Sequence, residues 1–307
     1  MQSIDKIKDK MLGCLYGQAI GNALGIHTEF MTKKDIQNMY SDGISLYPYD
    51  KGDWEDDDTK QMLCILDELN ENSSIIPSSL AYRLENWLET DGRGCGNLVY
   101  QVIRHRDFLK DPFKAAYERW NLCNREAAPN GGIMRTSVIG LMSDNIESNA
   151  IAACKVTHYD PRCIGSCVIV SQIIHSLVWD KRQLTYENIN QLAKKFDDRI
   201  EEWIDLAYNG NLSDLKLEGP EGIGYTLRTF AAALWAYFHA PDFKTGLLAI
   251  VNEGGDADTN AAIACAILGA KFGYSSIPPY YVENLQNRAM YHQKITSFIN
   301  QITETQK

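Results

Sequence analysis

The chain has 307 residues, of which 45% are hydrophobic, so it is long enough and apolar enough to bury a sizeable core in one large domain or two. Its formal net charge of -10 argues against a nucleic-acid surface or an anionic membrane as a partner, because both require clusters of Lys and Arg that this sequence lacks. No Pro/Ser-rich linker divides it.

The first predicted element is an apolar helix over residues 11–26. It contains Gln18 and Asn22 and is shorter than the ~20 residues of a membrane span, so we reject both a transmembrane and a signal segment. Glycines recur every four residues along one stripe of this helix, which predicts that another helix packs closely against it: Gly13, Gly17, Gly21 and Gly25. The helix leads to Glu29, which taken alone is typical of a solvated surface residue.

An acidic cluster follows at residues 54–59, just before an amphipathic helix over residues 61–69. A single Asp or Thr at a helix N-terminus is ordinary capping. Asp56, Asp57 and Asp58 together exceed what capping requires, and crowded carboxylates repel one another unless a cation neutralises them.

Two glycine-rich turns come next. Gly94 and Gly96 precede a helical run over residues 98–105, a setting that suits a phosphate group, although a plain turn between helices explains it equally well. The second turn contains Asn130, Gly131 and Gly132. Neither turn has the residue order of a P-loop or a dinucleotide fingerprint.

Residues 157–161 interrupt the helical pattern before a long apolar helix over residues 163–178. His158 lies in this interruption and could contact a ligand there. Within this helix Cys163 and Cys167 lie one turn apart, but no second Cys/His pair accompanies them, which favours core packing over metal binding. The eight cysteines lie mostly in apolar helical runs and indicate reduced thiols in a cytoplasmic protein.

The C-terminal half continues with helices. Residues 185–207 are predicted to form one polar-faced helix, and residues 226–239 another, preceded by Tyr225, which could stack on a base. With about ten helical segments and almost no period-two alternation, the sequence predicts an all-α fold.

The second acidic stretch, residues 254–260, has two glycines followed by Asp256, Asp258 and Thr259 at the start of a small, apolar helix. An EF-hand is excluded because Ala261 and Ile267 occupy its required Gly and Glu positions. A phosphotransferase loop stays a weak alternative. Ligand sets made only of oxygen atoms favour Mg²⁺, Mn²⁺ or Ca²⁺ over zinc. If the two acidic stretches meet in the fold, their side chains suit two metal ions. Taken separately, each stretch is explained as a solvated helix cap.

In their order along the chain these motifs resemble the ADP-ribosylglycohydrolase family. The matching segments are residues 13–30, 54–62, 92–97, 130–135, 157–158, 224–225 and 254–278. The resemblance implies a compact, single-domain, orthogonal helical bundle over residues 1–307, with two Mg²⁺ ions (or Mn²⁺) in a cleft. It implies six metal ligands: Asp56, Asp57, Asp58, Asp256, Asp258 and Thr259.

The resemblance also implies roles for other residues. Glu29 and Asp58 are the candidate acid/base residues. The residues expected to surround ADP-ribose are Gly94, Gly96, Asn130, Gly131, Gly132, Met134, His158 and Tyr225. Two departures from the family pattern are Asp56, where Thr or Ser is usual, and Asn22, where Asp is common.

The implied activity is hydrolysis of the glycosidic bond between ADP-ribose and an acceptor, with ADP-ribosylarginine on protein as the favoured substrate, a small-molecule conjugate as the other possibility, and ADP-ribose as the product. We expect a cytoplasmic monomer with no membrane or nucleic-acid partner. Two alternatives stay open: a catalytically silent ADP-ribose-binding module of the same fold, and a metal-dependent phosphohydrolase.

Overall fold

The computed structural model describes residues 3–219 and 223–304, and regular structure within these ranges is almost entirely helical. The α-helices of the described residues are α1 (Ile4–Gly25), α2 (Lys33–Met39), α3 (Asp57–Asn72), α4 (Pro77–Thr90), α5 (Asn97–Ile103), α6 (Pro112–Leu122), α7 (Ile146–Lys155), α8 (Pro161–His175), α9 (Tyr186–Ala193), α10 (Arg199–Asn209), α11 (Thr226–His239), α12 (Phe243–Val251), α13 (Ala257–Phe272), α14 (Pro279–Glu283) and α15 (Arg288–Glu304). Extended pairing there is limited to two isolated bridges. The predicted all-α fold is confirmed.

Helices α1 and α13 form the centre of the bundle, and the predicted glycine stripe is where they meet. A Cβ atom added at any of the four glycines of α1 would fall within 3.0 Å of backbone atoms of α13. From the first glycine of the stripe to the last, the contacted residues of α13 decrease in number: Gly269, Cys265, Ala261 and Ala257. The two helices are therefore antiparallel and in backbone contact, which only residues without a side chain permit.

The antiparallel packing places the C-terminal end of α1 beside the N-terminal end of α13. The segment after α1 is tied to the loop before α13 by two backbone hydrogen bonds, from Phe30 N to Gly255 O (2.6 Å) and from Gly255 N to Met31 O (2.9 Å). Gly254 and Gly255 both have positive φ, which allows this tight turn, as the sequence predicts. Glu29 is thereby carried to the start of α13.

The N-terminal end of α3 reaches the same place by packing on α1. Thr59 Oγ1 donates to Asn22 Oδ1 (2.8 Å), and Gln18 Nε2 donates to the Asp58 carbonyl (3.3 Å). All four of these residues are buried. Three chain segments separated by up to about 230 residues thus converge at one end of the central helix pair.

The single helix predicted over residues 185–207 is wrong, because α9 and α10 are separated by a turn at residues 194–198. Phe196 lies in this turn and packs against Gly165 of α8. The backbone N–H of Arg199 then donates to Asp197 Oδ1 (3.0 Å), which starts α10. Packing of one partly buried aromatic side chain and a local Asp turn therefore override the helical periodicity of the segment.

The apolar helix predicted over residues 163–178 is present as α8, and it continues in a wider helical turn, Ser176–Asp180. Pro161–Asp180 is the one helical segment among the described residues that is long and apolar enough to span a membrane, and 72% of its most apolar window is buried inside the structure. All eight cysteines are free thiols, five of them buried.

Candidate functional site

Two groups of carboxylates meet where α1, α3 and α13 converge. Asp56, Asp58 and Asp258 form one group, and Glu29, Asp256 and Asp258 form the other. Within each group, one carboxylate oxygen from every member lies within 4.8 Å of the others. Asp258 belongs to both groups, so the two sets of oxygens are adjacent.

Helix starts create this crowding. Asp56 is the residue before α3, and Asp58 lies in its first turn; Asp256 and Asp258 take the equivalent places on α13. Helix N-termini favour negative charge through their free N–H groups and the macrodipole. Two such N-termini facing each other concentrate four carboxylates in a small, buried volume.

The buried carboxylates are not satisfied by the protein itself. The Oδ1 atoms of Asp56, Asp58 and Asp258 are buried and have no hydrogen-bond partner among the described residues. The Thr259 hydroxyl lies 3.4 Å from Asp58 Oδ2. Unpaired buried carboxylates are costly, so an oxygen-only cluster of this kind fits hard divalent cations such as Mg²⁺ or Mn²⁺.

Burial and mutual repulsion raise the pKa values of five acids at this site. Burial, followed by the charges of Asp256 and Asp56, raises the pKa of Glu29 to about 7. Burial raises the pKa of Asp56 to about 6, although Asn22 and Arg93 partly offset the effect. The pKa values of Asp57, Asp58 and Asp258 lie well above the ordinary value, again chiefly because of burial and then because of neighbouring carboxylates.

Without metal, these shifts predict that the protein loses stability as the pH rises. The fold favours the neutral acids, so their contribution is fully present below about pH 4 and is lost through about pH 6 for Asp56 and about pH 7 for Glu29. For Asp56 alone, the shift from 3.8 to about 6 corresponds to a loss on the order of 3 kcal/mol. Urea unfolding at pH 4.5, 6 and 8 in EDTA measures this loss.

Two comparisons check the origin of the pH effect. Glu29→Gln is expected to remove only the share of the loss that comes from Glu29, which builds up between about pH 4.5 and about pH 7. Saturating Mg²⁺ is expected to flatten the whole profile, since a bound cation favours the charged carboxylates. Identical pH profiles with EDTA and with Mg²⁺ would contradict a cation site at this cluster.

The two departures from the family pattern are neighbours in the structure. Asn22 lies close enough to Asp56 to favour its charged form. Asn22 also accepts the hydrogen bond of Thr59. The additional carboxylate at position 56 therefore faces an amide, not another acid, on α1.

A cleft of about 320 Å³ opens above the carboxylates. Eleven of the sequence-predicted site residues line it: Glu29, Asp57, Gly94, Gly96, Asn130, Gly131, Met134, His158, Asp256, Asp258 and Thr259. Asp57 is on the cleft wall and belongs to neither carboxylate group. Asp56 and Asp58 do not line the cleft. Their carboxylates lie next to that of Asp258, which does line it.

Both glycine turns contribute to the cleft wall. At Gly94, where φ is +79°, an added Cβ would fall within 3.0 Å of Asp57 Oδ1, whereas at Gly96 it would meet nothing within 4 Å. Gly94 therefore allows the turn to approach Asp57, and Gly96 faces open space. Gly132 lies behind the cleft, against the sulfur atoms of Cys154 and Cys167.

Asn130 connects the second glycine turn to the acidic cluster. Its Nδ2 atom donates to Asp256 Oδ2 (2.7 Å) and to Thr229 Oγ1 (3.0 Å). Its backbone N–H donates to the carbonyl of Gly224 (2.8 Å). Asn130 thus orients one carboxylate of the cluster and fixes the position of the turn.

Tyr225 lies in an adjoining pocket of about 350 Å³, separate from the lining of the main cleft. Its ring packs edge-on against Trp203, with the Arg162 guanidinium 5.7 Å from its centre. Ile223 and Gly224 line both cavities, so the two are continuous along this wall.

Several lining residues were not predicted from sequence: Phe30, Asn97, Leu98, Val99, Pro129, Ile223 and Gly224. Each lies within three residues of a predicted site residue in the sequence. Phe30 is the most informative of them, because it is 67% exposed and adopts a left-handed φ of 59°. A bulky residue in that conformation is uncommon, and here it places an aromatic ring at the cleft mouth.

Comparison with known proteins gives a consistent result. A family model described as ADP-ribosylglycohydrolase matches residues 3–307. The chain is 28% identical over 292 residues to the ADP-ribosyl-[dinitrogen reductase] glycohydrolase of Rhodospirillum rubrum, covering 91% of each chain. It is 25% identical over 292 residues to the ADP-ribosylarginine hydrolase Tri1 of Serratia proteamaculans, covering 92% of this chain and 76% of that one.

A solved structure described as an ADP-ribosylglycohydrolase-related protein complex has the same fold. Its TM-score is 0.73 at 23% identity, and the alignment covers 97% of this chain and 99% of the other.

Proposed function

The chain belongs to the ADP-ribosylglycohydrolase family, and we propose that it hydrolyses the glycosidic bond between ADP-ribose and an acceptor, with ADP-ribosylarginine on protein as the favoured substrate. The observation that carries this proposal is the convergence of five carboxylates, Asp258 being common to both groups, beneath a cleft walled by two glycine turns. Cleavage at the anomeric carbon develops positive charge on the ribose, which neighbouring carboxylates stabilise.

The carboxylate groups fit two divalent cations, with Mg²⁺ favoured and Mn²⁺ as the alternative. Asp56, Asp58 and Asp258 would hold one ion, and Glu29, Asp256 and Asp258 the other, with Asp57 and Thr259 beside them. When bound, such ions supply positive charge that orients ribose hydroxyls and makes a water molecule more acidic.

The chain's own side chains supply the proton transfer. Glu29 is half-buried at the cleft, where its carboxylate can take or give a proton. Its pKa of about 7 is that of the metal-free protein, and a bound cation favours the charged form. Asp58 is the other candidate, with a raised pKa and a free oxygen. Asn130 keeps Asp256 in place by its hydrogen bond, so the geometry is set before substrate binds.

An arginine acceptor fits the cleft mouth best. Glu29 offers a carboxylate and the adjacent Phe30 an exposed aromatic ring. A guanidinium group binds carboxylates and stacks on aromatic faces, whereas a serine hydroxyl uses neither property. Both named relatives above have activities on ADP-ribosylated substrates, one of them on ADP-ribosylarginine.

The test is release of ADP-ribose from a panel of defined conjugates, with ADP-ribosylarginine and ADP-ribosylserine peptides as the main pair. We expect release from the arginine conjugate to require Mg²⁺ and to stop in EDTA, and the serine conjugate to react more slowly. Binding of ADP-ribose with no turnover of any conjugate would instead identify a silent binding module. Release of inorganic phosphate from a nucleotide or sugar phosphate would identify a phosphohydrolase.

A further inference from the structure

Arg135 is an unusual buried cation close to the cleft. It is fully buried, and no salt bridge connects it to a carboxylate within residues 3–219 and 223–304. Its Nη1 donates to Gln61 Oε1 (2.7 Å), and its Nη2 donates to the carbonyl of Ala153 (3.1 Å) and to Thr157 Oγ1 (2.6 Å). A guanidinium group has only hydrogen-bond donors and stays charged, so the partner atom is the acceptor in all three hydrogen bonds.

The Thr157 hydroxyl links Arg135 to His158. Its oxygen accepts from Arg135 and also lies 2.8 Å from His158 Nδ1. A hydroxyl has one hydrogen, and Arg135 cannot accept it. Among the described residues, Nδ1 is the only acceptor within hydrogen-bond distance of this hydroxyl. Because a buried hydroxyl without an acceptor is costly, we assign the hydrogen to Nδ1, which is then the unprotonated nitrogen of the ring.

This hydrogen-bond network favours one protonation state and one tautomer of the His158 ring. Burial, and then the charge of Arg135, lower the pKa of His158 well below its ordinary value, so the ring is neutral. In a neutral ring with Nδ1 unprotonated, the proton is on Nε2. His158 thus presents an Nε2–H donor.

That donor has no partner in the protein. Nε2 is buried and makes no hydrogen bond to any described residue, and His158 is only 1% exposed. The residue lines the cleft beside Gly131, where an added Cβ would lie 3.2 Å from Nε2. A buried, unsatisfied donor at a cleft wall indicates that a bound ligand supplies the acceptor.

We propose that Arg135 and Thr157 are positioning residues that hold His158 in its Nε2–H tautomer, so that His158 donates a hydrogen bond to a phosphate oxygen of bound ADP-ribose. The identity of the ligand rests on the proposed function. An anionic oxygen is favoured over a neutral one because Arg135, linked to the ring through the Thr157 hydroxyl, contributes a positive charge that no described carboxylate pairs with. Gly131 leaves room for the ligand to approach.

The tautomer is measured directly by two-bond ¹H–¹⁵N correlation spectra of the ¹⁵N-histidine-labelled protein without ligand, with His158→Gln to assign the signals. We expect wild type and Thr157→Ser to show the Nε2–H form, and Thr157→Val to show a mixture of tautomers. Binding of ADP-ribose is then expected to weaken in Thr157→Val in inverse proportion to the fraction of Nε2–H form, about 3- to 10-fold where that fraction is about one third to one tenth, and binding of adenosine to stay unchanged.

A matched control is Thr303→Val, which removes another buried threonine hydroxyl, located on α15 and bonded to the Ile299 carbonyl. It should alter neither the His158 spectrum nor ADP-ribose affinity. The proposal is overturned if wild-type His158 carries its proton on Nδ1, if Thr157→Val keeps the Nε2–H form alone, or if the tautomer changes without weaker ADP-ribose binding. If wild type does not bind ADP-ribose, the proposed function fails, while the spectra still report on the tautomer.

Discussion

Replacing Asp258 by Asn is expected to lower the rate of ADP-ribose release by at least about 10³-fold, because this carboxylate belongs to both groups of the cluster. No other residue in the two groups is shared. Its loss removes a charged ligand from each candidate ion position at once, whereas Glu29 or Asp56 affects only one. Steady-state release of ADP-ribose at saturating Mg²⁺ measures the effect.

The same variant is expected to have an opposite effect on stability when metal is absent. Asp258 is buried among like charges, and its pKa is raised by burial and by Asp256 and Glu29. The amide that replaces this carboxylate carries no charge, so the metal-free variant should be at least as stable as wild type at pH 8. Its thermal stabilisation by Mg²⁺ should be smaller than that of wild type.

A suitable control is Asp5→Asn, which changes an exposed acid in the first turn of α1. This substitution should leave both turnover and the Mg²⁺-dependent melting temperature unchanged. If Asp258→Asn turned over as fast as wild type, the carboxylate cluster would not be the catalytic centre.

Replacing Gly21 by Ala is expected to destabilise the protein by about 3 kcal/mol. An added methyl would fall within 3.0 Å of the backbone of Ala261 and Ala262, and neither helix can yield because both are fully buried at this point. The higher helix propensity of Ala offsets only about 1 kcal/mol of this destabilisation. Urea unfolding of the metal-free protein measures the change in the free energy of unfolding.

Separation of α1 from α13 should also reduce activity, because the contact sets the position of Glu29 relative to Asp256. Gly96→Ala is the control for stability, since an added Cβ there meets nothing within 4 Å. It should change the free energy of unfolding by less than about 0.5 kcal/mol. Equal stabilities of Gly21→Ala and wild type would show that the two helices are not in backbone contact.

Much of the local structure could be predicted from the sequence because local signals specify it. The glycine spacing of α1 predicts a close helix contact, and the acidic residues at 56–58 and 256–258 mark two helix starts. Residues 185–207 show the limit of this reasoning. Their helical periodicity is continuous, but Phe196 finds its packing partner, Gly165, on another helix, and the chain turns to place it there.

By itself, the sequence determined the composition of the site: which residue types are present, that their ligand atoms are oxygens, and that two glycines precede the second acidic stretch. The tertiary structure alone decided that Asp258 is common to both carboxylate groups, that Asp57 stands on the cleft wall, and that the Thr157 hydroxyl lies 2.8 Å from His158 Nδ1. The reason is physical. Ligand type follows from side-chain chemistry, which is written residue by residue, whereas distances of a few ångströms between segments about 200 residues apart exist only once α1, α3 and α13 have packed.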